Sequence, residues 1–139
     1  MNAIKAFYRQ EDGNAGVLLA NLDDVRKLIK GLHAESIQYD VPLLTQWYIA
    51  DDADTPELSI GVHRDHGVLY YTGNDWPGPW YSDGDETLGD SEIDYDYMGN
   101  ATPFQMDNHV PYDVVLRAAE QFFETHGARP TAVEWRKYT

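Results

Sequence analysis

The spacing of apolar residues along the chain predicts a helix over residues 22–32. Asn21 precedes it as an N-cap, and Asp24 follows at the capping-box position. Acidic residues fall in its first turn and basic residues near its predicted end, the order that a helix dipole favours. The apolar residues recur at intervals that place them on one helical face: Leu22, Val25, Leu28, Ile29 and Leu32.

A second helix is predicted to begin at Pro111 and to end near Gly127. Proline suits the first helical position, where its missing N–H group would have no partner. Glycine commonly ends a helix, and Pro130 prevents continuation. His33 and His126 then lie close to the two predicted helix ends, where a cation suits the dipole. The apolar stripe of this second helix is broad: Val114, Val115, Ala118, Ala119, Phe122 and Phe123.

Alternating apolar and polar residues predict strands between and around the helices. The predicted strands cover residues 4–9, 41–50, 57–63, 67–72, 80–82, 92–98 and 131–138. A hairpin turn is expected at residues 63–66. Loops are expected at residues 74–79, whose two prolines do not fit the interior of a ladder, and at residues 83–90.

A run of antiparallel strands between separate helices is typical of an α+β fold. We therefore predict an antiparallel sheet of about six to eight strands with two main helices packed on one face. Nothing in the sequence marks a linker or a repeat, so residues 1–139 are expected to form a single domain.

Composition narrows the classes of partner. The 139 residues include 24 Asp and Glu but only 10 Lys and Arg, a formal net charge of −14. Nucleic acid and an anionic membrane surface are therefore not expected as direct partners, because proteins bind both through Lys and Arg. The absence of cysteine excludes disulfides, thiolate zinc sites and a cysteine nucleophile. With no signal-like or spanning apolar run, we expect a cytoplasmic protein.

Two histidine-containing patterns resemble functional motifs without completing them. His63-Arg64-Asp65 resembles a kinase catalytic loop, but Tyr70 stands where that loop needs asparagine. His63 and His66 could ligate zinc, although they lie in a predicted turn and not on a helix. Solvent-exposed turn histidines are the simpler interpretation.

The acids after residue 82 could in principle form a metal or catalytic site. A calcium loop beginning at Asp83 would need glycine and glutamate where the chain has Leu88 and Asp94. A carboxylate pair of the glycosidase kind is not excluded by spacing. We expect no enzyme and no cofactor, and a small acidic carboxylate-using enzyme or metal-binding protein is the alternative.

The negative charge is concentrated in one part of the sequence. Residues 65–116 contain eleven acids and no Lys or Arg, together with many aromatic residues. A solvated sheet face over core aromatics would explain this pattern. Aromatic anchors surrounded by acids would equally form an interface for a basic partner. The candidate interface residues are Trp76, Trp80, Tyr81, Asp83, Asp85, Glu86, Asp90, Glu92 and Asp94.

The second half of the chain carries a recognisable combination of residues. Near its end stand residues 118–125 (AAEQFFET), Gly127, Arg129-Pro130 and Val133-Glu134-Trp135. Earlier segments are 58–62 (LSIGV), 67–71 (GVLYY) and 80–84 (WYSDG). Together these segments resemble a family of bacterial immunity proteins from polymorphic-toxin systems, which are often encoded beside deaminase toxins.

That resemblance implies an α+β immunity protein that binds a cognate toxin domain and blocks its active site. A deaminase toxin must accept nucleic acid, so an acidic and aromatic surface is a suitable competitor for its site. The resulting hypothesis is a non-enzymatic inhibitor whose acids face Lys and Arg of a basic toxin C-terminal domain. A chaperone-like binding module is a further alternative.

Overall fold

In a computed structural model, two helices pack on one face of an antiparallel sheet. The structure describes residues 4–8, 16–49, 56–73 and 76–137, with the backbone alone at 76–78. The helices are α1 (Leu22–Tyr39) and α2 (Tyr112–Glu124). The strands are β1 (Ile4–Phe7), β2 (Val17–Leu19), β3 (Leu43–Ile49), β4 (Glu57–His63), β5 (His66–Gly73), β6 (Trp76–Ser82), β7 (Glu92–Tyr97), β8 (Asn100–Gln105), β9 (Val110–Pro111) and β10 (Trp135–Lys137).

The main sheet has the strand order β10-β6-β5-β4-β3-β1-β2, and all of these neighbours are antiparallel. Strand β9 pairs with β5, and β7 pairs with β8 in a hairpin. The hairpin joins the sheet through one parallel bridge between Leu43 and Asp96. The α+β prediction is confirmed, and the ten strands seen in the described residues exceed the predicted six to eight.

The main core lies between the sheet and the helices. The α2 stripe predicted from sequence supplies Val115, Ala118, Ala119 and Phe122, all fully buried. Leu58, Ile60 and Val62 of β4 face this core, and α1 adds Val25, Ile29 and Leu32. Burying such side chains removes apolar area from water and is the main force holding the helices to the sheet.

A second, smaller core lies on the opposite face, under the β7–β8 hairpin. It contains Leu44 and Val68 from the sheet and Tyr95 and Phe104 from the hairpin. Gly61 makes close packing possible, since a Cβ atom there would lie 2.7 Å from Cε2 of Tyr95. The hairpin therefore covers part of the face that the helices leave open.

Helix α1 is longer than predicted. Its start is confirmed, because the Asn21 side chain accepts a hydrogen bond from the Asp24 N–H at 2.9 Å. The predicted end at residue 32 is wrong, and the helix continues to Tyr39. The extension buries only Ser36, whose Oγ accepts a hydrogen bond from the Arg64 N–H at 3.0 Å, so it carries no apolar signal. His33 consequently lies within the helix and not at its end.

Helix α2 agrees with its prediction to within one residue at its start. Pro111 is the N-cap, and α2 ends at Glu124. The N–H of Gly127 donates to the Phe122 carbonyl at 2.9 Å, which completes a Schellman motif. His126 takes the left-handed conformation with φ of 58°, and Gly127 after it also has a positive φ, of 104°.

Strand β6 differs from its prediction. The structure begins it at Trp76, so the predicted loop over residues 74–79 is wrong where the chain is described. Pro77 and Pro79 fit because the ladder shifts register between the Tyr71–Trp80 and Gly73–Trp76 pairs, and prolines are tolerated at such irregularities.

Other predicted strands vary in accuracy. The boundaries of β4 agree with the prediction, and His63 pairs with His66 across the expected hairpin turn. Strand β8 was missed, and the closing strand is confined to Trp135–Lys137 within the described residues. The predicted strand ends at residues 9, 50 and 138 lie outside the described part of the chain.

Candidate functional site

The loop after β6 is held in a defined shape by backbone hydrogen bonds. The N–H of Asp83 donates to the Glu134 carbonyl at 2.8 Å, and the N–H of Gly84 donates to the Asp107 carbonyl at 3.0 Å. A short 3-10 turn follows at Glu86–Leu88. Asp85 caps this turn by accepting from the Thr87 N–H at 3.0 Å. Hydrogen bonds from Thr87 lower the pKa of the Asp85 carboxyl.

The acids of β7 lie on the outer face of the hairpin. Tyr95 points to the sheet and is completely buried, so its neighbours Asp94 and Asp96 project the other way, as Glu92 does. Glu92 and Asp94 are exposed, and Asp96 is half-buried. All six predicted acids, from Asp83 to Asp94, are therefore accessible to a partner.

Most of these acids are not neutralised within the protein. Among the described residues, five of the six predicted acids form no ion pair. We define these five as the acidic surface: Asp85, Glu86, Asp90, Glu92 and Asp94. Their charge is thus available for interaction with an outside cation.

Asp83 is the exception, because Arg136 lies beside it. The Arg136 Nη2 atom is 2.9 Å from Oδ1 of Asp107, and Nε is 3.8 Å from Oδ1 of Asp83. Hydrogen bonding to Asp107 raises the pKa of Arg136. A base from the end of the chain therefore reaches the acid-rich segment, although the sequence between residues 65 and 116 contains none.

The aromatic candidates are divided between the two faces of the sheet. Trp80 packs against the main core, with the Arg129 guanidinium 4.9 Å from its ring centre. Tyr81 faces the hairpin and makes edge contacts with Tyr70 at 5.1 Å and Phe104 at 5.7 Å. The side chain of Trp76 lies outside what the structure describes. The roles of Trp76, Trp80 and Tyr81 as anchors stay predictions.

A cavity of about 220 Å³ lies between β8 and β10, next to the acidic surface. Two of the candidate residues, Tyr81 and Glu92, line it. The rest of its lining includes Phe104 and the bases Arg136 and Lys137. The cavity therefore combines aromatic surface with both signs of charge.

The hairpin is also fixed by a buried polar contact. The Nδ1 atom of His109 lies 2.9 Å from the Met106 carbonyl and must carry its proton to donate there. The Nε2 atom is then free to accept from the Tyr95 hydroxyl at 2.7 Å. Both nitrogens of a neutral His109 are satisfied, and protonation would remove the acceptor.

We expect the free energy of unfolding to decrease as the pH falls below about 6.5. Burial lowers the pKa of His109, with smaller contributions from His66 and His63. Below pH 6.5 the unfolded chain therefore binds a proton that the folded chain excludes, until the pH reaches the folded pKa. Urea unfolding at pH 7.5 and 5.5 measures the change. His109→Gln should reduce the difference between the two pH values, and an unchanged difference would contradict this assignment.

The other histidines have local structural contacts. His63 Nε2 lies 3.4 Å from Asp40 Oδ1 beside the exposed Arg64–Asp40 pair, and His33 stacks on Tyr112 at 4.0 Å. Within the described ranges, no group of three His, Asp or Glu side chains is arranged to hold a metal ion. Neither described helix has the length and apolar character needed to cross a bilayer.

A second polar surface was missed by the sequence analysis. It lies on the sheet beside the hairpin and contains Glu57 with the rings of Tyr48 and Tyr70. Its signal was the alternation of polar and aromatic residues on β3, β4 and β5, which places Tyr48, Glu57 and Tyr70 on the same face.

Comparison with known protein families gives a match for this sequence. No curated protein matched the sequence. The family model described as "Immunity protein Imm1" matches residues 13–137, which include both helices, the hairpin and the acidic surface. The match covers far more than half of the chain, so this protein belongs to the Imm1 family of immunity proteins.

Proposed function

We propose that this immunity protein neutralises its cognate toxin domain by binding a basic region of it through the acidic surface. The observation that carries the proposal is the set of five exposed acids, none of which forms an ion pair within the described part of the chain. Family membership indicates that the partner is a toxin domain. The negative charge of the acidic surface favours contact with basic residues of that partner. Binding over the toxin's active site would inhibit it without catalysis by the immunity protein.

A nucleic-acid deaminase is the toxin class we propose. An active site that accepts nucleic acid needs positive charge nearby, and carboxylates can occupy the same region. The protein would then act in the cytoplasm, where such a toxin meets its substrate. Tyr81 and the adjacent cavity supply apolar contact next to the charges, as interface cores commonly do.

Removing two charges from the hairpin should weaken toxin binding by about tenfold to a hundredfold. The variant is Glu92→Gln/Asp94→Asn, which changes exposed positions on the outer face of β7. Affinity is measured by calorimetry with the cognate toxin domain, which is sought among the neighbouring genes. The affinity of the unmodified protein should also fall with added salt, because exposed charges are screened beyond about 8–10 Å.

The matched control is Asp23→Asn/Glu124→Gln. It removes the same number and types of charge from exposed positions on the two helices, across the sheet from the hairpin. Its affinity should stay within about threefold of the unmodified protein. Equal losses in the two variants would reject the acidic surface as the interface. Failure of the unmodified protein to bind or protect against the toxin would reject the function itself.

A further inference from the structure

Within the described ranges, part of the sheet face on the hairpin side is not covered by the hairpin and is rich in tyrosine. We define the Glu57 surface as Glu57 with Tyr48, Tyr70 and Tyr97. All four side chains are half-buried, so they are held in place while remaining accessible. The surface differs from the acidic surface, whose residues belong to the loop and the outer face of the hairpin.

Strand register brings Glu57, Tyr48 and Tyr70 together. Tyr48 of β3 stands directly opposite Glu57 of β4, and Tyr70 of β5 stands opposite Ser59. The Ser59 hydroxyl donates to Glu57 Oε2 at 3.2 Å. The Tyr48 hydroxyl lies 3.1 Å from Glu57 Oε1 and 3.0 Å from Gln46 Oε1, and it shares its single proton between these two acceptors.

The electrostatic environment of the tyrosines supports the same arrangement. Burial raises the pKa of Tyr48, and the negative charge of Glu57 raises it further, with smaller effects of Tyr97 and Tyr70. Burial and then Glu57 likewise raise the pKa of Tyr70. The phenol groups therefore surround the carboxylate closely enough to feel its charge.

The charge of Glu57 is not balanced within the described residues. No ion pair involves it, and Lys5, which register places beside Tyr48 on this face, forms none with it. A carboxylate has about four lone-pair positions, and two hydroxyl donors leave the others open. Partial burial of a carboxylate is unfavourable unless a cation compensates it.

We propose that the Glu57 surface receives an arginine side chain of the cognate toxin. A guanidinium can pair with the carboxylate in its plane while its face stacks on a tyrosine ring, and lysine offers no such planar face. This inference rests on the proposed function and adds a specific contact to it. Because the hairpin packs on the same side of the sheet, one partner can approach both surfaces from that side.

The test is the affinity of Glu57→Gln for the same cognate toxin domain, measured by calorimetry. Glutamine keeps the shape of the side chain and removes its charge, so we expect the dissociation constant to rise by about tenfold to a hundredfold. The control Glu124→Gln makes the same substitution at an exposed helical position and should change it by less than about threefold. Tyr48→Phe keeps the ring and the Glu57 charge and should also stay within that limit.

The outcomes separate this inference from the proposed function. If the unmodified protein binds the toxin and Glu57→Gln binds equally well, the Glu57 contact is wrong and the function stands. If Tyr48→Phe weakens binding as much as Glu57→Gln, Glu57 acts by holding the sheet face and the arginine contact is wrong. If the unmodified protein does not bind the toxin, both are wrong. A dimer of this chain that Glu57→Gln dissociates would assign the surface to a second copy and overturn the inference.

Discussion

Replacing Gly84 with alanine should destabilise the protein by about 3 kcal/mol. A Cβ atom at Gly84 would lie 2.0 Å from the carbonyl oxygen of His109 and 2.7 Å from its carbonyl carbon. These are backbone atoms, so no side-chain rotation can relieve the overlap. The loop would have to move away from residues 106–109, which would break the hydrogen bond from the Gly84 N–H to the Asp107 carbonyl.

Urea unfolding measures this loss, with Gly31→Ala as the matched control. Gly31 is exposed in the middle of α1, and a Cβ atom there would meet nothing within 4 Å. Alanine is the better helix former by roughly 0.8–1 kcal/mol, so the control should stabilise the protein. The same substitution is thus expected to act in opposite directions at two positions. A Gly84→Ala variant as stable as the unmodified protein would show that the loop is not packed as described.

The loop that Gly84 positions carries part of the acidic surface. If Gly84→Ala folds, its toxin affinity should fall although no charge has been removed. Such a loss of affinity would show that binding depends on the shape of the acidic surface as well as on its charge.

Tyr95→Ala should cost about 3–5 kcal/mol, the usual range for deleting a large buried ring. Tyr95 is completely buried and packs over Gly61, where its ring fills the space that a β-carbon would need. Its loss also leaves Nε2 of His109 without the Tyr95 hydroxyl. The hairpin would then retain Phe104 as the main ring of its small core.

The control for this ring deletion is Tyr39→Ala. Tyr39 ends α1 and is 65% exposed, so its removal should change the free energy of unfolding by less than about 0.5 kcal/mol. Hydrogen exchange should show that amides of β7 and β8 lose protection before those of β4 and β5 in Tyr95→Ala. Uniform loss of protection across all four strands would contradict separate attachment of the hairpin.

The spacing of apolar residues along the sequence identified the elements that bury a single apolar face. Helix α2 and strands β4 and β5 were predicted closely for this reason. Two extensions of predicted elements were not predicted, because other forces hold them. The last turns of α1 bury only Ser36, a polar residue, and the start of β6 contains two prolines that a register shift accommodates. Neither Ser36 packing nor a shift in strand pairing leaves a local apolar pattern.

The sequence also indicated the exposed acids, since alternation on β7 separates Tyr95 from its acidic neighbours. Arg136 could not be assigned to Asp107 and Asp83 from sequence, because strand pairing between β6 and β10 brings distant segments together. The opposite orientations of Trp80 and Tyr81, in contrast, could have been predicted from the sequence. They are adjacent in a predicted strand, and adjacent strand residues face opposite sides of a sheet.

The alternation of β7 divides its residues into two independent sets. Ile93 and Tyr95 pack in the small core and hold the hairpin on the sheet, whereas the side chains of Glu92 and Asp94 are exposed on its outer face. Substitutions in the outward set can therefore change charge and shape without disturbing packing. A designed library at the outward positions could redirect the protein to a different toxin while its melting temperature stays the same, so recognition can be varied without a loss of foldability.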